Sequence, residues 1–218
     1  MNSKMPWGND IEMLPNGEFL GMFKPNNRKD FSFGGSGGIL RCVTSDQQTL
    51  WEYEIASETE LAHHDLELLP NGNVLTIVWE EITTEQAKTL GAQTEHPIYT
   101  EKLIEINPNN NEIVWQWRSV EHLVQDIDQT VSTFGSIREN PRKININYNS
   151  DMDNGDWMHA NGITYDHTRD LIFMTVNFYD EIWVIDRSTT TQQAASGEGG
   201  NYGVGGDLVY RFGNPAAY

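Results

Sequence analysis

Apolar and polar residues alternate with a period of two through most of this chain, in short runs that come in pairs. One pairing is spelled twice: Asn9-Asp-Ile-Glu-Met-Leu-Pro-Asn-Gly-Glu-Phe-Leu20 is echoed by His64-Asp-Leu-Glu-Leu-Leu-Pro-Asn-Gly-Asn-Val-Leu75. Each copy alternates into Leu-Pro-Asn-Gly and leaves in a second apolar run. Proline fixes φ and Asn-Gly supplies the positive-φ residues of a tight turn, so each copy predicts a β-hairpin.

A second kind of hairpin follows each of these. Residues 38–43 lead through a polar turn into 49–53, residues 102–106 into 112–117, and residues 181–186 through a longer loop into 206–212. The second strand of each closes on an aromatic pair, Trp51/Tyr53, Trp115/Trp117 and Tyr210/Phe212, which alternation places on one face and predicts to pack between sheets. A divergent third copy of the first hairpin runs from His159 through Asp166 and returns over 171–176. Two hairpins make a four-stranded antiparallel sheet, the unit of a β-propeller blade. His64 to His159 spans 95 positions, as does Trp115 to Tyr210, and the Leu-Pro-Asn-Gly copies lie 55 apart. The expected fold is therefore all-β: a partial β-propeller domain over 1–218, with three blades present. A closed propeller takes about four to eight, so the chain reads as part of a longer product.

Two insertions interrupt the pattern. In residues 118–156, Val120, Leu123, Val124, Ile127, Val131 and Phe134 fall at helical spacing and predict a short amphipathic helix before Gly135. Residues 187–206 are rich in Gly, Ser and Thr and read as a mobile or ligand-covering loop. Inserted loops on one face of a repeat array usually line its binding face.

Composition narrows the function. The net charge of −18, from 32 acidic and 14 basic residues, argues against nucleic acid and anionic lipid as partners. An anionic substrate would have to be captured by local donors against the global field. No apolar run reaches the length of a membrane span, and the first twenty residues lack a charged segment followed by an apolar one. Either the chain resides in the cytosol or its leader lies outside this sequence. Cys42, the single cysteine, sits in an alternating strand and reads as a small core residue.

The chemistry concentrates on His64 and His159. Both open the first hairpin of their blade, and equivalent positions in successive blades converge at one end of a propeller channel. Imidazoles there, with an ordinary pKa of about 6.5, suit anion donation, acid–base work, nucleophilic attack or metal ligation. The structural alternative is that each caps a hairpin or packs in the core. His63 is expected on the opposite face of its strand from His64, and His96, His122 and His167 at the surface. The segment 151–156 resembles a calcium loop, but Gly162 stands where the bidentate acid belongs, which leaves an Asx-rich turn or an irregular cation site. Aromatic closures of this kind also occur in quinone-binding propellers, without an acidic metal cluster here to support that assignment.

The phrases "AHHDLELLPNGNVL", "EIVWQWRSVEHLVQDID", "DWMHANGITYD", "EIWVIDRSTTTQQAA" and "GGDLVYRFGNPAAY" resemble those of the bacterial arylsulfotransferase propellers, in the same order. The resemblance covers the chain from about residue 9 to its end. It implies sulfuryl transfer from an aryl sulfate to a phenol through a sulfated histidine, with no nucleotide sulfate donor and no cofactor. His64 and His159 correspond to the family's first two active-site histidines, with Asn161, Asn177 and Trp157 as substrate contacts. Asn177 stands where the family has a basic residue, and the nucleophilic histidine is expected in a "QHD"-like phrase beyond Tyr218, so the 218 residues alone are expected to be inactive. The resemblance also implies a periplasmic or secreted location. A competing reading keeps the architecture and makes the protein a ligand- or partner-binding propeller without turnover.

Overall fold

A computed structural model describes residues 7–25, 31 and 33–218. The first six residues, within the stretch read for a leader, lie outside it. The paired alternating runs form three antiparallel four-stranded sheets, each a simple meander. The first comprises β1 (Trp7–Met13), β2 (Phe19–Phe23), β3 (Ile39–Val43) and β4 (Thr49–Glu54). The second comprises β5 (Glu60–Leu68), β6 (Val74–Ile82), β7 (Ile98–Asn107) and β8 (Glu112–Arg118). Between it and the third lie the two-residue strands β9 (Leu123–Val124) and β10 (Ile144–Asn145), paired in parallel. The third sheet comprises β11 (Ala160–Asp166), β12 (Leu171–Val176), β13 (Glu181–Asp186) and β14 (Tyr210–Gly213). The fold is all-β, with sheets arranged as the blades of a partial propeller.

The Leu-Pro-Asn-Gly turns form as expected, with one refinement. Gly17 and Gly72 take positive φ (85° and 82°), but the preceding asparagines do not. Instead each Gly N–H bonds the Leu carbonyl three residues back, at 2.9 Å to Leu14 and 2.8 Å to Leu69. The Asn side chain accepts from the backbone two residues on, Asn16 from Glu18 and Asn71 from Asn73. Asn therefore acts through its side chain and Gly alone supplies the left-handed backbone.

β5 packs beside both β1 and β11, so the first strand of each sheet faces the first strand of the next. Between β5 and β11 the seam is polar. The Asp65 carboxylate accepts from Ile163 N at 2.6 Å and that of Glu67 from Tyr165 N at 2.7 Å. Outward from the seam the sheets meet through apolar side chains. Leu20, Met22 and Leu40 pack on Leu66, Val78 and Ile104, with Cys42, Trp51 and Tyr53 at the margin. Trp115 and Trp117 are fully buried between the second and third sheets. Tyr210 and Phe212 instead stay exposed at 61% and 65%, because among the described residues no fourth sheet stands beside the third.

Both insertions differ from expectation. Residues 118–156 carry a 3₁₀ turn, Ser119–Glu121, and no amphipathic α-helix before Gly135. The cause is Gln125, whose buried side chain accepts from Ile127 N and Asp128 N (both 2.7 Å) and donates to Asp128 O. That local closure takes the donors a helix would have used, and Ile127 and Phe134 are left exposed. Residues 187–206 do not form a free cover. They hold a short helix, Thr191–Ala194, closed by a Thr190 capping box, and are pinned by Trp115 Nε1 to Thr189 Oγ1 (3.1 Å) and Trp117 Nε1 to Gly206 O (2.7 Å). His122, expected at the surface, is fully buried in this attachment, stacked on Trp117 and bonded to Asp207 and to Ala194 O, both at 2.8 Å. His96 and His167 are exposed. No helix among the described residues is long and apolar enough to cross a membrane.

Candidate active site

His64 and His159 meet at the junction of the second and third sheets, with ring centroids 4.8 Å apart. Both take a left-handed backbone, φ 54° and 53°, which costs a non-glycine residue of order 1–3 kcal/mol and persists only where the surroundings enforce it. At His64 the enforcement is visible. The β5–β6 register shifts between His63 and Leu66, and His64 N donates to Gly35 O at 2.8 Å. Gly35, itself at φ 87°, lies under the His64 ring with no room for a Cβ, whose nearest ring atom would be 1.9 Å away.

The left-handed residue breaks strand alternation. His63 and His64 were expected on opposite faces; instead their Nδ1 atoms lie 3.0 Å apart. His63 is fully buried, lies flat on the Trp79 indole (3.7 Å between centroids, 1° between planes), and its Nε2 is 3.0 Å from Glu101 Oε2 on β7. The other Glu101 oxygen accepts from Ala160 N at 2.7 Å, so this one carboxyl group ties β7 to His63 and to the residue after His159.

Asn161, at the start of β11, donates its amide Nδ2–H to His64 Nε2 at 3.0 Å. His159 Nδ1 bonds Asp156 Oδ2, while its ring stacks on Phe178 (4.8 Å). Asp156 is 1% exposed and its second oxygen, Oδ1, has no hydrogen-bond partner. Asp156 is held by an Asx turn from Asn154, which is the part played by the calcium-like segment. Among the described residues no group of three or more His, Cys, Asp or Glu is arranged to hold a metal ion.

The two exposed-edge imidazoles are driven apart electrostatically. Burial, aided by His63 and His159, lowers His64 to about 3 and holds it neutral. Burial also opposes charge on His159, but the Asp156 contact and the Glu101 charge outweigh it and raise its pKa. Burial lowers His63 well below its usual range and pushes Glu101 up to about 8. Asp156 is raised by burial, with the His159 bond pulling it back. Titratable neighbours whose environments separate them in this way are suited to acid–base work.

Asn161 and Asn177 share a cleft of about 360 Å³ with Asp180, Glu181 and Phe212 in its wall. Asn177 N bonds His159 O at 3.1 Å, and its side chain is exposed. Glu181 is neutralised by Arg211, Nη2 to Oε2 at 2.6 Å. Trp157 is not on this cleft: it is 2% exposed, in the core, with Nε1 donating to Met152 O. An indole between two sheets gains more from burial than an aryl-stacking position would return.

The structure thus brings together His64, His159 and Asn161, with Asn177 joined by its backbone bond to His159 O and by the cleft it shares with Asn161. It adds His63, which the sequence placed on the far face, and Trp79, Glu101, Asp156 and Phe178. One of the additions left a trace: Asp156 precedes His159 by three residues.

A family model described as arylsulfotransferase (ASST) matches residues 9–199. No curated protein matches the chain.

Proposed function

The chain belongs to the arylsulfotransferase family, and we propose that His64, His159 and Asn161 build the site of an aryl sulfate-dependent sulfotransferase. The reaction moves a sulfuryl group from a phenolic sulfate ester to a phenolic acceptor by a ping-pong route through a sulfated histidine. The observation that carries this reading is the contact of two imidazoles, 4.8 Å apart, one inclined to charge and the other held neutral.

Sulfuryl transfer, like phosphoryl transfer, spreads charge over peripheral and leaving oxygens, so preorganised donors do most of the work. His159, whose pKa is raised by Asp156, offers its Nε2–H to a peripheral sulfate oxygen when protonated. His64, neutral, exchanges a proton at Nε2 with the phenolic oxygen, under the hand of the Asn161 amide. Asn177 adds one neutral donor from the cleft. The family resemblance implies that the covalent step falls to a third histidine, with His64 and His159 as its donors. The family's exported habit supports a periplasmic or secreted location, with small phenols and their sulfate esters as partners.

A second reading, a ligand-binding propeller without turnover, is favoured by one feature. The cleft beside Asn161 is lined by Asn177, Asp180 and Glu181, the last already paired with Arg211, and its lining carries no Lys or Arg to serve a sulfate. The two separate on incubation of the full-length protein with a nitrophenyl sulfate and a phenol, beside His64→Ala and His159→Ala. Acceptor-dependent nitrophenol release, reduced at least about a hundredfold in both variants, is expected. No release from the folded protein overturns the enzyme and leaves the binding module.

A further inference from the structure

We propose that Glu101 and His63 form a proton relay that loads and unloads His64 Nε2, with Glu101 as the proton store. Four groups stand in single file. Glu101 Oε2 is 3.0 Å from His63 Nε2, His63 Nδ1 is 3.0 Å from His64 Nδ1, and His64 Nε2 is 3.0 Å from Asn161 Nδ2. The middle of the file is rigid: His63 lies flat on Trp79, Ala160 N donates to the other Glu101 carboxyl oxygen, and the Glu101 backbone N–H donates to Ser119 Oγ.

A neutral imidazole carries a proton on one nitrogen and a lone pair on the other, so a proton entering at one side releases one at the other. Two complete registers follow. In the first, Asn161 Nδ2–H donates to His64 Nε2, His64 Nδ1–H donates to His63 Nδ1, and His63 Nε2–H donates to the Glu101 carboxylate. In the second, the Glu101 carboxylic acid donates to His63 Nε2, His63 Nδ1–H donates to His64 Nδ1, and the exposed Asn161 amide turns so that its oxygen, or the departing oxygen, accepts from His64 Nε2–H. Passing from the second to the first moves three protons by one bond each. The carboxylic acid becomes a carboxylate, both rings remain neutral, and the departing oxygen gains the proton. An attacking phenol reverses every step, so the cycle returns Glu101 to its acid form.

The surroundings favour this over a single imidazolium donor. Burial that holds His64 neutral prevents it from storing a proton of its own, so it must be resupplied through Nδ1. Glu101, raised to about 8, holds the proton at neutral pH. The titratable groups that face Glu101 are His63 on β5 and Asp156 and His159 before β11. Glu101 and His63 thus act through His64, as positioning residues for its proton. Delivery to a phenolic oxygen rests on the sulfotransferase reading; the relay itself does not.

¹⁵N-histidine spectra of the full-length protein read which ring nitrogen is protonated. As pH rises from about 6 to about 9, the proton on His64 should move from Nε2 to Nδ1 and that on His63 from Nδ1 to Nε2, in one shared transition. Glu101→Gln should abolish that transition. In the donor half-reaction alone, read as the burst of phenol released without acceptor, Glu101→Gln should lose about a hundredfold on alkylphenyl sulfates, whose phenolates need a proton, and little on nitrophenyl sulfate. His63→Phe, which keeps a ring on Trp79, should show the same discrimination. Independent titration of the two rings, a transition that survives Glu101→Gln, or an equal loss on both esters overturns the relay. If the wild type turns over neither ester, the sulfotransferase reading falls and the spectra still decide the relay.

Discussion

The imidazoles of His64 and His159 meet edge to face, with 4.8 Å between centroids and 76° between planes. They lie 95 positions apart in the chain, one within β5 and the other just before β11, and each takes a left-handed backbone uncommon for residues other than glycine. The contact places a neutral ring beside one that favours charge, and it is Asp156 that decides which is which.

Replacing Asp156 by Asn should therefore lower the His159 pKa, because the opposing charge and the bond to Nδ1 are lost while burial remains. Titration of the His159 ring carbon by NMR should show the midpoint moving down. The activity optimum should move to lower pH with it, since the imidazolium is then retained only in acid. An unmoved midpoint would show that Asp156 does not set the charge.

Stability should fall with pH through Glu101. Its folded pKa, about 8, lies above its ordinary 4.5, so between those values the folded state holds a proton the unfolded state has released. Stability from this group is present below the ordinary value and is lost as pH rises through the raised one. Urea melts of the wild type against Glu101→Gln should show the wild type losing ground between about pH 5 and about pH 8. A constant difference would place Glu101 in its ionised form throughout.

Gly35→Ala should disturb the site from beneath. A Cβ there would fall on the His64 ring, and the residue sits at φ 87°. We expect about 1–3 kcal/mol of destabilisation and displacement of the His64 ring from Asn161 and His63. Denaturant melts and the His64 ¹⁵N shifts check the two effects. Wild-type stability with unchanged shifts would mean the backbone gives way at no cost.

Asp65→Ala should loosen the junction that holds the two histidines in contact. Asp65 accepts from Ile163 N at 2.6 Å, and its removal leaves that N–H without its acceptor, a loss of about 1–3 kcal/mol. Hydrogen exchange at the Ile163 amide should accelerate more than exchange within β12 and β13. Equal acceleration everywhere would indicate global destabilisation and no local seam.

Much of this was legible in the sequence for physical reasons. Period-two alternation and Leu-Pro-Asn-Gly turns are local, and they located the hairpins of all three sheets. His64 and His159 were legible as equivalents because each heads the first hairpin of its sheet. The misreadings share a cause. Helical spacing over 120–134 was outcompeted by one glutamine that closes its own turn. His122, in a polar stretch, was drawn into the core by Trp117, Asp207 and Ala194 O. His63 was assigned by alternation to the far face, and a single left-handed residue turned it toward His64.

The sequence by itself determined the class of fold, the strand pairs and the identity of the two outward imidazoles, because these follow from neighbours along the chain. Only the tertiary structure decided that Glu101, His63 and Asp156 share their buried volume. Protonation is set by desolvation and by charges across space, so which histidine is neutral, which is charged and where the spare proton rests became fixed only when β5, β7 and β11 closed around one another.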